Sequence, residues 1–376
     1  MILRGGTVFT ADGVFTQADV AADGDTIAAI GSVPEGGEAV DAAGLYVLPG
    51  LIDIHIHACA GVDFCDASEA SITGMGRFLA SRGVTSFLAA SMALPEERLA
   101  GIFRVAASLR DKDTGGAVLR GINMEGPFFS PAKCGAQDTH YFVPPDVGMF
   151  DRLQAAADGG VRLLDVAPEL PGAMELIRHV SGQGTTVSLA HTDADYDTAR
   201  QAFENGAGHV THLFNAMPPF HHREPGLIGA ASDCGAAVEL ISDGIHLHPS
   251  TVRAVFRWFG DDKAVLISDA MAACGMPDGA YVLGGQPVSV RGGTARLADG
   301  ALAGSTADLL TCLQRAAGFG VPLESAVKAA TINPARAAGI DGLVGSIAPG
   351  KRADLLLLDK QLRPAGLFIG GRRVTL

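Results

Sequence analysis

Eight apolar runs alternate with helix-like stretches between residues 51 and 270, and polar residues gather at the C-terminal ends of those runs. The runs are LIDIHIH (51–57), VTSFLAA (84–90), VLRGINMEG (118–126), VRLLDVAPE (161–169), TTVSLAH (185–191), HVTHLFN (209–215), AVELISDG (237–244) and AVLISDA (264–270). Parallel strands covered on both faces read as continuous apolar runs rather than as alternating ones. The stretches between them, such as EASITGMGRFLASRG and PGAMELIRHVSGQG, have helical spacing and end at glycine. Eight such units in a row predict an α/β fold of the (β/α)8 TIM-barrel type. A doubly wound open sheet is disfavoured, because no GxGxxG follows the first run. Run one ends in His55 and His57, run three in Glu125, and run five in His191; runs six, seven and eight end in His212, Asp243 and Asp269. Barrel active sites are built at these strand ends. The pattern predicts an enzyme.

The two ends of the chain have a different texture. The first 45 residues and the stretches GSIAPGKRADLLLLD and LFIGGRRVTL carry short strands separated by Gly-rich turns. They predict a small β-sandwich domain built from both termini, residues 1–48 plus 341–376, around a barrel at 49–340. Hydrophobic residues make up 48% of the 376, enough for a large core, yet no apolar run reaches a membrane-spanning length. The start, MILRGGTVFTADG, reads as a strand and turn rather than a signal peptide. A cytoplasmic location and no membrane partner are therefore expected. A net charge of −13 opposes binding to nucleic acid. The six cysteines lack CxxC spacing and read as reduced thiols. Cys59 lies beyond the strand pattern and is not counted as a ligand.

Residues i and i+2 of a strand share a face. His55 and His57 thus point into the barrel with Asp53 one layer below, while Ile52, Ile54 and Ile56 face outward. Paired imidazoles suit a borderline metal such as zinc. Glu125, His191 and His212 add three ligand-capable groups at the same mouth. His209, before run six, is expected to be a packed core histidine, and His248 a surface or helix-capping one.

PGLIDIHIH and GSIAPGKRADLLLLD bracket the chain in a way that resembles the amidohydrolase superfamily of metal-dependent hydrolases. Within it, MEGPFFSP, LAHTDAD, THLFNAMPPFHHREPGLIGAA, SDGIHLHP, LISDAM and LAGS resemble the N-acetylglucosamine-6-phosphate deacetylase family, over about residues 45 to 360. Many two-metal amidohydrolases bridge their ions with a carbamylated lysine on strand four. None of Lys112, Lys133, Lys263, Lys328, Lys351 and Lys360 stands at such a strand end, and the resemblance gives the bridging role to Glu125.

The resemblance implies hydrolysis of an N-acetyl amino-sugar phosphate. Glu125, His191 and His212 would hold the main divalent ion, zinc first, with Fe2+ or another divalent ion also admitted. His55 and His57 would form a second site, giving one or two ions per subunit. Asp269 would be the general base and His246 would polarise the acetyl carbonyl. Arg223 would bind the phosphate with its planar fork of donors, helped by the backbone at Asn215 and Ala216. Ala136, Gln137, Leu302, Ala303 and Gly304 would touch the sugar, although many relatives have histidine where Gln137 stands. Arg223 would reach the neighbouring subunit's site, which implies a homodimer. The substrate the resemblance implies is N-acetylglucosamine 6-phosphate, with the galactosamine epimer or another N-acyl amino-sugar phosphate as the alternative. A non-catalytic scaffold or a D-amino-acid deacylase fits less well, since all ligands and the HHREPG loop are present.

Overall fold

The computed structural model describes residues 1–33 and 38–375. The eight runs form one all-parallel sheet of eight strands in sequential order. The barrel strands are Leu51–Ile56, Val84–Ala90, Val118–Glu125, Val161–Val166, Thr186–Leu189, His209–Val210, Ala237–Leu240 and Ala264–Leu266. Strand two matches the expected run residue for residue, whereas strands five to eight stop short of theirs. The sheet closes because the chain just past strand eight bonds to strand one. Asp269 N–H donates to His55 O at 2.9 Å, and the N–H groups of His57 and Ala58 donate to Ala270 O at 3.0 Å.

One helix follows each strand, from Glu69–Ser81 after the first to Leu309–Gly318 after the eighth, with Leu323–Ala330 and Ile332–Ala337 beyond. Several begin at side-chain caps, a device that satisfies the unpaired N–H groups of a first turn. Ser68, Asp146, Asp195 and Asp308 each accept from the backbone N–H three residues on. His248 caps Pro249–Phe259 by accepting from Ser250 N–H, as its position suggested. The apolar faces of these helices and the strands share one continuous core, including Phe87, Phe103, Phe128 and Phe150. Among the described residues, no helix is long and apolar enough to cross a membrane.

Both termini contribute to one mixed sheet. Its order runs Arg372–Val374, Pro364–Ile369, Leu355–Leu358, Tyr46–Pro49, Ile2–Phe9, Phe15–Asp23, Thr26–Gly31. It forks at Ile2–Phe9, whose first half pairs with Ala39–Asp41 and whose second half pairs with Tyr46–Pro49. A bulge between Leu3 and Gly6 bends this strand at the fork, where Gly5 sits at φ 68°. The sheet encloses its own core of Leu3, Val8, Val20, Ile27, Val47, Leu355, Leu357 and Phe368. Gly50 marks the passage into the barrel. A Cβ there would meet Thr85 Oγ1 at 2.1 Å, so only glycine lets strands one and two approach this closely.

Two small sheets have no counterpart in the sequence reading, the ribbon of Ala58–Cys59 with Val62–Asp63 and a larger one. Gly279–Leu283, Gln286–Arg291 and Thr294–Arg296 form a three-stranded antiparallel sheet inserted between barrel strand eight and its helix. Gln286 Nε2 ties it to the mouth by donating to Ala136 O at 2.8 Å.

Candidate metal and active site

The polar residues at the strand ends converge on Glu125, the last residue of strand three. Its carboxylate is shared between two groups of ligand-capable atoms, His55–His57–Glu125 and Glu125–His191–His212, each within 4.8 Å. Oε1 lies 3.2 Å from His191 Nε2 and 3.3 Å from His212 Nε2, while Oε2 lies 3.3 Å from His57 Nε2. All five side chains are buried.

Three of the four rings present Nε2 inward with Nδ1 bonded elsewhere, a feature of metal-binding histidines, whereas His212 Nδ1 has no partner among the described residues. His57 Nδ1–H donates to Ala90 O at 3.2 Å and His191 Nδ1–H to Lys133 O at 3.0 Å. His55 Nδ1–H donates to Glu239 Oε2 at 3.0 Å. His55 Nε2 is fully buried and has no hydrogen-bond partner among the described residues. A nitrogen with that orientation beside a carboxylate fits coordination to a divalent ion, and imidazole with carboxylate is a donor set zinc accepts.

His191, His212 and Asp269 share another property. They lie beyond the ends of strands five, six and eight with φ of 45°, 30° and 47°. Non-glycine residues in this region carry backbone strain, and such strain collects at functional sites. At His191 the backbone O accepts from Ser130 N–H at 3.0 Å and the ring stacks on Phe129 at 4.4 Å. Gly135 faces the same ring, and a Cβ there would press to 3.1 Å from His191 Cε1.

Electrostatics bind the cluster into one unit. Burial alone would raise the Glu125 carboxyl, but His57 and His55 together with the bonds from His191 and His212 hold it well below the carboxylate range. Asp269 is opposed by burial in the same way; the His57 hydrogen bond and the charges of His55, His57 and His212 win and lower it. Burial lowers His55 and His57, yet the surrounding carboxylates outweigh it and raise both. Below the ligands, Asp53 is pushed up to about 7 by burial. Asp53 sits one layer under His55, as the strand alternation required.

A cavity of about 320 Å3 opens onto this cluster. His57, Glu125, His191, His212, Asp269 and His246 all line it, as do Ala136, Gln137, Asn215, Ala216, Leu302 and Gly304. His246 is oriented by Asp243, whose Oδ2 accepts from its Nδ1–H at 2.8 Å, leaving Nε2 unengaged by that bond. Ala303 does not line the cavity: it is fully buried and its N–H donates to Ala295 O at 3.1 Å. Arg223 is also absent. It stands exposed in a separate surface groove with Asp193, Asp195 and Glu224, its guanidinium 2.7 Å from His222 Nε2. Within one chain, Arg223 therefore does not meet the ligand cluster.

The structure adds residues that the sequence reading passed over. Glu239, in the middle of strand seven, is fully buried and reaches both His55 and His212. A carboxylate inside the otherwise apolar AVEL was the signal for it. Gln137 was expected at the sugar, yet both ends of its amide serve the protein. Its Nε2 donates to Glu125 Oε2 at 2.6 Å, and its Oε1 accepts from Ala93 N–H at 2.8 Å. Met92, Phe214 and Leu283 give the cavity apolar wall that no motif announced. His209 is the packed core histidine expected, held by Ser188 Oγ at 3.0 Å.

Comparison with known proteins places this geometry. Residues 46–374 match the model of the Amidohydrolase family. The chain is 41% identical over 317 residues to N-acetylglucosamine-6-phosphate deacetylase of Bacillus subtilis (strain 168), covering 83% of this chain and 80% of that protein. It is 35% identical over 373 residues to N-acetylgalactosamine-6-phosphate deacetylase of Escherichia coli O157:H7, covering 99% and 98%. Among solved structures, it superposes with a TM-score of 0.94 on a mutant N-acetyl-D-glucosamine-6-phosphate deacetylase of Mycobacterium smegmatis in complex with N-acetyl-D-glucosamine-6-phosphate. That similarity is at 33% identity and covers 100% of this chain and 99% of that one.

Proposed function

The chain belongs to the amidohydrolase family, and from that premise we propose that it hydrolyses the N-acetyl group of N-acetylglucosamine 6-phosphate, releasing glucosamine 6-phosphate and acetate. The observation that carries this is one cavity in which the Glu125–His191–His212 group, Asp269 and His246 meet. The identity of relatives such as the Bacillus subtilis enzyme supports the substrate.

Glu125, His191 and His212 would hold a divalent ion, zinc in this proposal, which would supply Lewis acidity and lower the pKa of water at neutral pH. The chain's own groups do the rest. Asp269, 3.3 Å from His57 Nε2, accepts a proton from the attacking water and returns it to the nitrogen as the amide C–N bond breaks. His246, fixed by Asp243, presents Nε2 toward the acetyl oxygen, where negative charge develops and where the imidazolium form would donate. On one wall the Asn215 N–H is taken by His212 O at 2.9 Å, so Ala216 is left to supply the backbone N–H, and Gln137 keeps Glu125 oriented. His55 and His57 with Glu125 form a second site for an ion.

Arg223 is proposed to complete the site of a second subunit, where its guanidinium pairs with the phosphate. This accounts for a phosphate-binding type of residue that stands outside its own chain's cavity. The enzyme is accordingly a homodimer and, on its metabolic substrate, cytoplasmic. We divide the chain into a small β domain, 1–48 plus 341–376, and a barrel, 49–340. The galactosamine epimer is the second reading, favoured by the relative that covers 99% of this chain. Acetate release measured on both sugar phosphates tests the choice, and a higher kcat/KM on the glucosamine epimer is expected.

A further inference from the structure

We propose that Glu239 is a positioning residue that couples the two metal sites through a single carboxylate oxygen; the proposal rests on the two-site reading given above. Glu239 lies in barrel strand seven and is fully buried. Its Oε2 accepts from His55 Nδ1–H at 3.0 Å and from the backbone N–H of His212 at 3.2 Å. His55 belongs to the second ligand group and His212 to the first. One oxygen therefore anchors a ligand of each site, from strands on different sides of the barrel.

The arrangement is costly for a role in packing alone. A buried carboxylate loses its hydration, and among the described residues no lysine or arginine pairs with Glu239. Its second oxygen, Oε1, has no hydrogen-bond partner among the described residues and stands 3.9 Å from His209 Nδ1. A leucine, as at the neighbouring position 240, would fill such a strand site without that cost. What the carboxylate achieves is specific to its partners. It fixes His55 in the tautomer that leaves Nε2 free, and aims that atom at Glu125 Oε1 at 3.6 Å and Asp269 Oδ1 at 3.7 Å. An anionic acceptor also raises the basicity of the imidazole as a ligand. At the same time it holds the backbone of His212 at its left-handed φ of 30°.

The test is a calorimetric titration of demetallated enzyme with Zn2+, on the wild type, Glu239→Ala, Glu239→Gln and, as a reference for loss of the second site, His55→Ala. The wild type should bind two ions per subunit. Glu239→Ala should lose about 10- to 100-fold in affinity for the second ion, the range for removal of an outer-shell partner, and should also weaken the first ion beyond any change seen in His55→Ala; a loss no greater than that of His55→Ala would overturn the coupling. Glu239→Gln, whose amide oxygen can still accept from His55 and His212, should recover part of the loss. That variant also keeps the test usable where Glu239→Ala does not fold. Two ions bound with wild-type affinities in the Glu239 variants would overturn the proposal while leaving the two-site reading intact. One ion per wild-type subunit would overturn both.

Discussion

Asp269 Oδ1 stands 3.3 Å from His57 Nε2, with the Asp269 backbone hydrogen-bonded across the barrel seam to His55 O. The bond that closes the barrel thus places Asp269, the proposed base, beside the paired histidines. Asp269→Asn preserves shape and an acceptor but cannot take a proton. Its kcat should fall by about 10²- to 10⁴-fold, the usual worth of general acid–base catalysis, with metal content unchanged by elemental analysis. Turnover near the wild type would place the base elsewhere.

Gln137 donates to Glu125 Oε2 and accepts from Ala93 N–H. Gln137→Leu removes both bonds and leaves the Ala93 N–H unpaired. Metal affinity should fall about 10-fold with kcat following, and zinc competition against a chromogenic chelator measures it. A change in KM alone would make Gln137 a sugar contact only.

Asp243 supports His246, and its carboxyl is lowered because the bond from His246 and that ring's charge outweigh the opposing effect of burial. A folded-state pKa below the unfolded value stabilises the protein above the unfolded pKa, and the benefit is lost as pH falls through the folded one. Asp243→Asn should therefore have a lower Tm than the wild type at pH 7, and the gap should close toward pH 3. Its kcat should fall about 100-fold through the misplaced His246. A Tm gap that does not narrow in acid would contradict the ionised pairing.

Arg223→Ala should raise KM for the phosphorylated sugar about 10- to 100-fold, the loss of a charge-assisted contact. The unphosphorylated sugar should be unaffected. In mixtures with an inactive Asp269→Asn partner, heterodimers should recover one site with normal KM only if Arg223 acts across subunits. Unchanged KM for the phosphorylated sugar would remove the assignment.

Much of the fold was legible because a barrel strand buried on both faces must be apolar throughout. Val84–Ala90 shows this, being buried at all seven positions. The later strands were harder to bound. The sheet ladder at His209–Val210 is two residues long, and His212 is carried past it by side-chain and turn bonds that no periodicity records. The inserted sheet at residues 279–296 was missed because its edge strand Gly279–Leu283 is mostly exposed and breaks the strand–helix rhythm. Strand alternation placed Asp53, His55 and His57 on one face. It could not show that Glu239 meets them, since that contact joins residues 184 apart in sequence. Nor could it separate Leu302 and Gly304, which face the cavity, from Ala303, which faces the core.

The central claim is metal-dependent deacetylation in the Glu125 cavity. It is tested most directly by acetate release from N-acetylglucosamine 6-phosphate by enzyme stripped with a chelator and then titrated with Zn2+. The account predicts no turnover in the stripped enzyme, recovery on addition of Zn2+, and no recovery in Glu125→Gln, which loses the carboxylate common to both groups. Turnover that survives removal of the metal, or a Glu125→Gln variant rescued like the wild type, would contradict it.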